Sequence, residues 1–138
     1  MTDNTINAEQ QTSPSRGKVL IVEDDSFLSS LLKTRIKNDG YDAYLASDGD
    51  AAWEFLKKEK PDLIFLDVIL PKKSGFDLLE SLQSDPEVKN IPIIIISNLG
   101  QDADISRGKE LGAVDYFVKA RVSVDDLVKK IGEYIKKS

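Results

Sequence analysis

The chain has 138 residues, 41% hydrophobic and 31% charged, with a formal net charge of −5 and a pI near 4.8. This describes one globular domain plus a tail, and the acidic balance argues against binding nucleic acid through the whole surface. Cysteine and histidine are both absent, which excludes disulfides, thiolate metal sites, a histidine base and a phosphohistidine, so any phosphoryl group arriving through histidine must come from another protein.

Residues 1–17 are nearly all polar and are expected to form a disordered tail, with the folded domain running over 18–138. No stretch approaches the roughly 18 apolar residues of a membrane span, and the N-terminus lacks the basic-then-apolar layout of a signal peptide, so a cytoplasmic location is expected. From Lys18 short apolar runs alternate with helical patterns. Val19–Val22, Leu63–Leu66, Ile93–Ile96 and Val114–Val118 read as strands buried on both faces, and Tyr41–Ala46 as an edge strand. Phe27, Leu28, Leu31, Leu32, Arg35 and Ile36 form the stripe of a first helix, stopped by Asp39-Gly40. Asp48 is a candidate N-cap for a second helix over Ala51–Lys58, and Phe76–Leu82 is a third. Gln101–Leu111 offers only Ala103, Ile105 and Leu111 as anchors and carries Gly108 in its middle, so its packing is expected to be the weakest. The last helix opens at Ser123-Val124-Asp125-Asp126, close to a capping box, and closes in lysines. Five βα units in a row imply a doubly wound, five-stranded parallel sheet flanked by five helices in three layers.

In such a fold ligands bind at the C-terminal ends of the strands. Those ends carry Glu23-Asp24-Asp25, Asp67, Ser97 and Lys119. Three bare carboxylates repel one another, and a divalent cation relieves that repulsion. Mg²⁺ takes oxygen ligands and usually one or two carboxylates, which suits Asp24 and Asp67 directly and Glu23 through a water; Mn²⁺ is an alternative ion. Asp67 is then free to attack phosphorus and become an aspartyl phosphate. The cation, Lys119 and the Ser97 hydroxyl would neutralise the charge of the transferring group. Taken singly, Asp67 is a turn residue, Lys119 a surface lysine and Ser97 a strand-end hydroxyl, while Asp25 could simply cap a helix; their joint placement at strand ends is what carries the chemistry.

The VLIVEDD, LIFLDVILPKKSG, IIIIS and DYFVK segments, at these spacings, make the chain resemble the receiver domain of two-component response regulators, including stand-alone members such as the chemotaxis regulator. The resemblance runs from Lys18 to about Lys137. It implies a flavodoxin-like three-layer sandwich of strand order 2-1-3-4-5, a property of that family carried over with the resemblance. It implies Asp67 as phosphoacceptor, Glu23 and Asp24 as the acidic pair for Mg²⁺, the Ile69 backbone carbonyl as a further ligand, Ser97 as switch hydroxyl and Lys119 as the site lysine. Tyr116 falls at the aromatic position that changes rotamer on activation, although a half-buried strand aromatic is an equal reading. Pro71 and Gly75 match the loop after the acceptor, glycine permitting the turn.

Four positions depart from the family pattern or bear on its kinetics. Ala120 stands where proline usually follows the lysine through a cis bond, so the Lys119–Ala120 bond is either cis or trans with a rerouted loop. Asn98 replaces a small residue beside the switch hydroxyl. Ile69 and Leu99 are apolar where the family faces the attacking water, which implies slow self-dephosphorylation. The chain reads as a free-standing regulator and not an enzyme in its own right. It would be phosphorylated by a sensor histidine kinase or phosphotransfer protein, as a monomer or a phosphorylation-dependent dimer. Its output would pass to a downstream protein through the fourth helix, last strand and fifth helix. A receiver truncated from a larger effector, and a scaffold with an unused site, are the alternatives. An aspartate-nucleophile phosphatase fits the Glu-Asp-Asp triplet poorly, and neither GxGxxG nor GxxxxGK[ST] occurs.

Overall fold

The computed structural model describes residues 14–72 and 74–135. Strands β1 (Lys18–Val22), β2 (Asp42–Ala46), β3 (Leu63–Leu66), β4 (Ile93–Ser97) and β5 (Asp115–Val118) alternate with helices α1 (Ser26–Asn38), α2 (Gly49–Lys58), α3 (Gly75–Gln83), α4 (Asp102–Glu110) and α5 (Val124–Tyr134). The strands form one parallel sheet in the order β2-β1-β3-β4-β5, the order that the resemblance implies.

Successive residues of a strand face opposite sides of the sheet, and the two cores divide accordingly. Leu20, Val22, Ile64, Leu66, Ile93 and Ile95 pack with Ala52 and Leu56 of α2 and with Leu78, Leu79 and Leu82 of α3. Val19, Ile21, Leu63, Phe65, Ile94 and Ile96 pack with Leu32 and Ile36 of α1 and with Leu127, Val128 and Ile131 of α5. The apolar runs of the central strands are therefore continuous because both faces are covered.

Several boundaries and facings differ from expectation. Residues 15–17 already belong to the folded part: the Arg16 N–H donates to the Gly40 carbonyl at 2.9 Å, the Asp42 N–H to the Gly17 carbonyl at 2.8 Å, and the Arg16 guanidinium stacks 4.6 Å from the centre of the Tyr41 ring. Polar composition concealed a segment that is held by its backbone and one cation–π contact. Residues 1–13 of the expected tail, and the closing lysines at 136 and 137, lie outside the described residues. On α1, Phe27 is 78% exposed and Leu31 also faces outward, while only Leu32 and Ile36 of the expected apolar stripe are buried; at 100° per residue the stripe is wider than the strip of sheet it covers. On α4, Ala103 is exposed, Ile105 and Leu111 are half-buried, and Gly108 is the one fully buried residue.

The chain moves from β1 outward to β2 and then crosses to β3 on the other side of β1. This reversal opens a crevice beyond the C-terminal ends of β1 and β3.

Candidate functional site

The crevice is filled with charge. Strand pairing continues one residue past each strand end, with the Glu23 N–H on the Ala46 carbonyl at 3.0 Å and the Asp67 N–H on the Val22 carbonyl at 2.9 Å. These ladder bonds hold Glu23 and Asp67 in buried positions, 2% and 3% exposed, beside the exposed Asp24. One carboxylate oxygen from each of the three lies within 4.8 Å of the others. Asp25 is diverted: its Oδ1 caps α1 by accepting from the Phe27 and Leu28 amides, as an Asp at an N-cap does.

Lys119, at the end of β5, reaches across to this cluster. Its Nζ lies 2.7 Å from Glu23 Oε1 and 2.8 Å from Asp67 Oδ2. Burial works against the ammonium, but the Asp67 and Glu23 carboxylates outweigh it and hold the Lys119 pKa above its ordinary value. Glu23 Oε2 accepts from the Asp25 amide at 3.0 Å. Its Oε1 meets Lys119 as an ion contact and has no aligned hydrogen bond among the described residues. Burial pushes the Glu23 carboxyl up to about 7, against the pull of Lys119 and the Asp25 amide. Three carboxylates facing one ammonium leave the pocket short of positive charge. The all-oxygen donor set of Glu23, Asp24 and Asp67, clustered within 4.8 Å, fits a hard divalent cation.

The Asp67 carboxylate is oriented from two sides, Lys119 Nζ on Oδ2 and the Ile69 N–H on Oδ1 at 2.9 Å. Gly75 at the start of α3 lies against the same segment. Its N–H donates to the Val68 carbonyl at 2.9 Å, and a Cβ there would fall 2.3 Å from Val68 Cα and 2.4 Å from the Asp67 carbonyl oxygen. Its φ is not positive, so the glycine serves a close backbone approach and not the unusual turn expected from the sequence.

Ser97 is fully buried at the end of β4, and its Oγ accepts from the Leu99 N–H at 3.2 Å. The Tyr116 phenol donates to the Leu99 carbonyl at 2.7 Å, so Leu99 is held at both its N–H and its carbonyl, on two successive peptide units. Tyr116 is 8% exposed, deeper than the half-buried aromatic expected, and burial raises its pKa despite the neighbouring Ser97 hydroxyl. Ile69 is half-exposed at the mouth of the pocket, Leu99 is half-buried and Asn98 exposed. No cis peptide occurs among the described residues; the Lys119–Ala120 bond is trans and Lys119–Arg121 forms a 3₁₀ turn. Without a proline, the trans bond is the lower in energy.

The response regulator receiver domain model matches residues 19–132. This chain belongs to that family. The receiver is 38% identical over 102 residues to the alkaline phosphatase synthesis transcriptional regulatory protein PhoP of Bacillus subtilis, an alignment covering 74% of this chain and 42% of that protein. It spans about two fifths of the length of the curated relatives it matches. Among solved structures it resembles the receiver domain of the Francisella response regulator 1452, with a TM-score of 0.81 and 30% identity over 87% of this chain and 97% of that one. It also resembles the Mn²⁺-bound form of response regulator Rcp1, with a TM-score of 0.75 and 27% identity over 88% and 96% of the two chains. No helix among the described residues is long and apolar enough to cross a membrane.

Two features of the site escaped the sequence reading. Lys72 bridges to Asp48 at 3.5 Å, a pairing of an exposed lysine with a half-buried aspartate far apart in sequence that carries no local signal. Gly108 gives α4 its closest contact with the sheet, since a Cβ there would meet Ile95 Cδ1 at 2.6 Å and Tyr116 Cδ2 at 2.9 Å. A glycine inside a helical pattern was the available sign of such an approach.

Proposed function

We propose that this receiver accepts a phosphoryl group on Asp67 from the histidine of a partner kinase or phosphotransfer protein, in a Mg²⁺-dependent reaction, and passes the signal to a downstream protein. The observation that carries this reading is the Lys119 ammonium bridging Glu23 and Asp67 at the crevice between β1 and β3. Asp24, Asp67 and the Ile69 carbonyl would hold Mg²⁺, with Glu23 behind them through a water. Mg²⁺ when bound supplies charge neutralisation for the phosphoryl oxygens.

In the transfer, a carboxylate oxygen of Asp67 forms a bond to phosphorus as the bond from phosphorus to the partner's imidazole nitrogen breaks. The electron pair stays on that nitrogen. The Ile69 N–H and Lys119 fix the direction of attack, and a carboxylate nucleophile has no proton for a general base to remove. Lys119 then turns toward the new phosphoryl oxygens, and the Ser97 hydroxyl follows by giving up the Leu99 amide. Tyr116 is tied to the carbonyl of the same residue, Leu99, so a change at Ser97 is transmitted to β5 and the face formed with α4 and α5. The chain's chemistry is confined to its own phosphorylation and to hydrolysis of the resulting aspartyl phosphate. Slow loss of its own phosphoryl group follows from the apolar Ile69 and Leu99 at the pocket mouth.

Intact mass after incubation with acetyl phosphate tests the proposal. One Mg²⁺-dependent phosphoryl adduct is expected on wild type and none on Asp67→Asn. No adduct on wild type, with acetyl phosphate or with a phosphorylated histidine donor, would favour the scaffold reading.

A further inference from the structure

The loop joining Asp67 to α3 is fastened at its base by the Gly75–Val68 and Ile69–Asp67 hydrogen bonds. Farther along it, Lys72 has φ 71°, the one non-glycine residue at positive φ among the described residues. That region is disfavoured for any side chain with a Cβ, so a contact must hold the residue there. Its ammonium lies 3.5 Å from Asp48 Oδ2. Asp48 is a firm anchor: its side chain is 17% exposed, and its Oδ1 accepts the Ala51 N–H at 2.8 Å as the N-cap of α2.

We propose that Lys72 is a positioning residue. Its ion pair with Asp48 ties the β3–α3 loop to the β2–α2 connection and so keeps the Ile69 peptide in the orientation that bonds Asp67. In its metal-binding half the inference rests on the reading above, in which the Ile69 carbonyl, on the next peptide unit, is offered to Mg²⁺. Lys72 does not touch the reacting groups; it acts through the loop. The pair is open to solvent on the lysine side, which limits its strength and makes it sensitive to salt.

The test uses the full chain with Lys72→Gln, Asp48→Asn, the two combined, and Lys72→Arg. Asparagine still caps a helix, so Asp48→Asn removes charge and leaves α2 in place. Two quantities are read: Mg²⁺ affinity by titration calorimetry, and hydrogen exchange of the Ile69 amide without metal. Each single variant is expected to weaken Mg²⁺ binding about two- to five-fold, the span of a surface ion pair, and to speed Ile69 exchange. Lys72→Arg should stay near wild type, and the combined variant should be no worse than either single one. Wild-type exchange at Ile69 in either single variant, or losses that multiply in the combined one, would overturn the proposal. Failure of the underlying reading looks different: wild type would bind no Mg²⁺ or form no adduct while Ile69 exchange still responded to the variants.

Discussion

Gly75→Ala tests whether backbone crowding behind Asp67 requires a glycine. The added methyl would lie 2.3 Å from Val68 Cα, 2.4 Å from the Asp67 carbonyl oxygen and 3.0 Å from the Val68 carbonyl carbon. All three are backbone atoms of the segment that carries Asp67, so no rotamer change relieves the clash. Overpacking costs about 1–3 kcal/mol, and the rigid surroundings place this case near the upper end. Moving α3 away also loses the Gly75–Val68 hydrogen bond, worth about 1 kcal/mol. Alanine's better helix propensity returns up to about 1 kcal/mol. The net loss is about 3 kcal/mol out of a total of about 5–15. Urea unfolding followed by the fluorescence of Trp53, the single tryptophan, measures it. With a slope of about 2 kcal/mol per molar, the midpoint should fall by about 1.5 M. Gly132→Ala on α5 is the control, since its nearest obstacle is the Tyr41 hydroxyl at 4.0 Å; it should stabilise by about 0.5–1 kcal/mol. A Gly75→Ala midpoint within about 0.3 M of wild type, an energy near 0.6 kcal/mol, would refute the crowding argument.

Gly108→Ala should cost less, about 1–2 kcal/mol, because Ile95 and Tyr116 side chains can yield where backbone cannot. The displaced phenol should leave the Leu99 carbonyl, which faster nitration of Tyr116, read by peptide mass, would reveal; unchanged reactivity counts against a glycine-made slot for the ring. Making the pocket mouth polar with Ile69→Asn and Leu99→Glu together should shorten the phosphoryl lifetime by at least several-fold. Decay of the adduct mass at wild-type rate would mean that these positions do not govern water attack.

The fold was legible because the central strands are covered on both faces. Runs such as Leu63–Leu66 and Ile93–Ile96 could hardly be anything but buried strands between helices, and turn residues punctuated them at every unit. The site residues were legible for a related reason: Glu23, Asp24, Asp67, Ser97 and Lys119 each close such a run, and a parallel sheet sends all strand ends to one edge. Less readable were α1 and the N-terminal boundary. The apolar Phe27 lies on the solvent side, and the polar Arg16 is fastened to Asp39 and Tyr41. Facing and fastening of that kind depend on neighbours remote in the chain.

Composition and the order of residues thus determined the alternating architecture, the absence of histidine from the sequence, and the set of charged groups at the strand ends. Distances between those groups were decided only by the tertiary structure. Lys119 joins Asp67, 52 residues away in sequence, and Glu23, farther still, because β1, β3 and β5 end on the same edge of a twisted sheet. Tyr116 and Ser97 both bond the backbone of Leu99, and Lys72 meets Asp48, because contacts of this kind likewise form only in the folded chain. Local propensity is a property of a few consecutive residues. Charge pairing and close packing depend on separations in space, and these exist only once the strands have found their order.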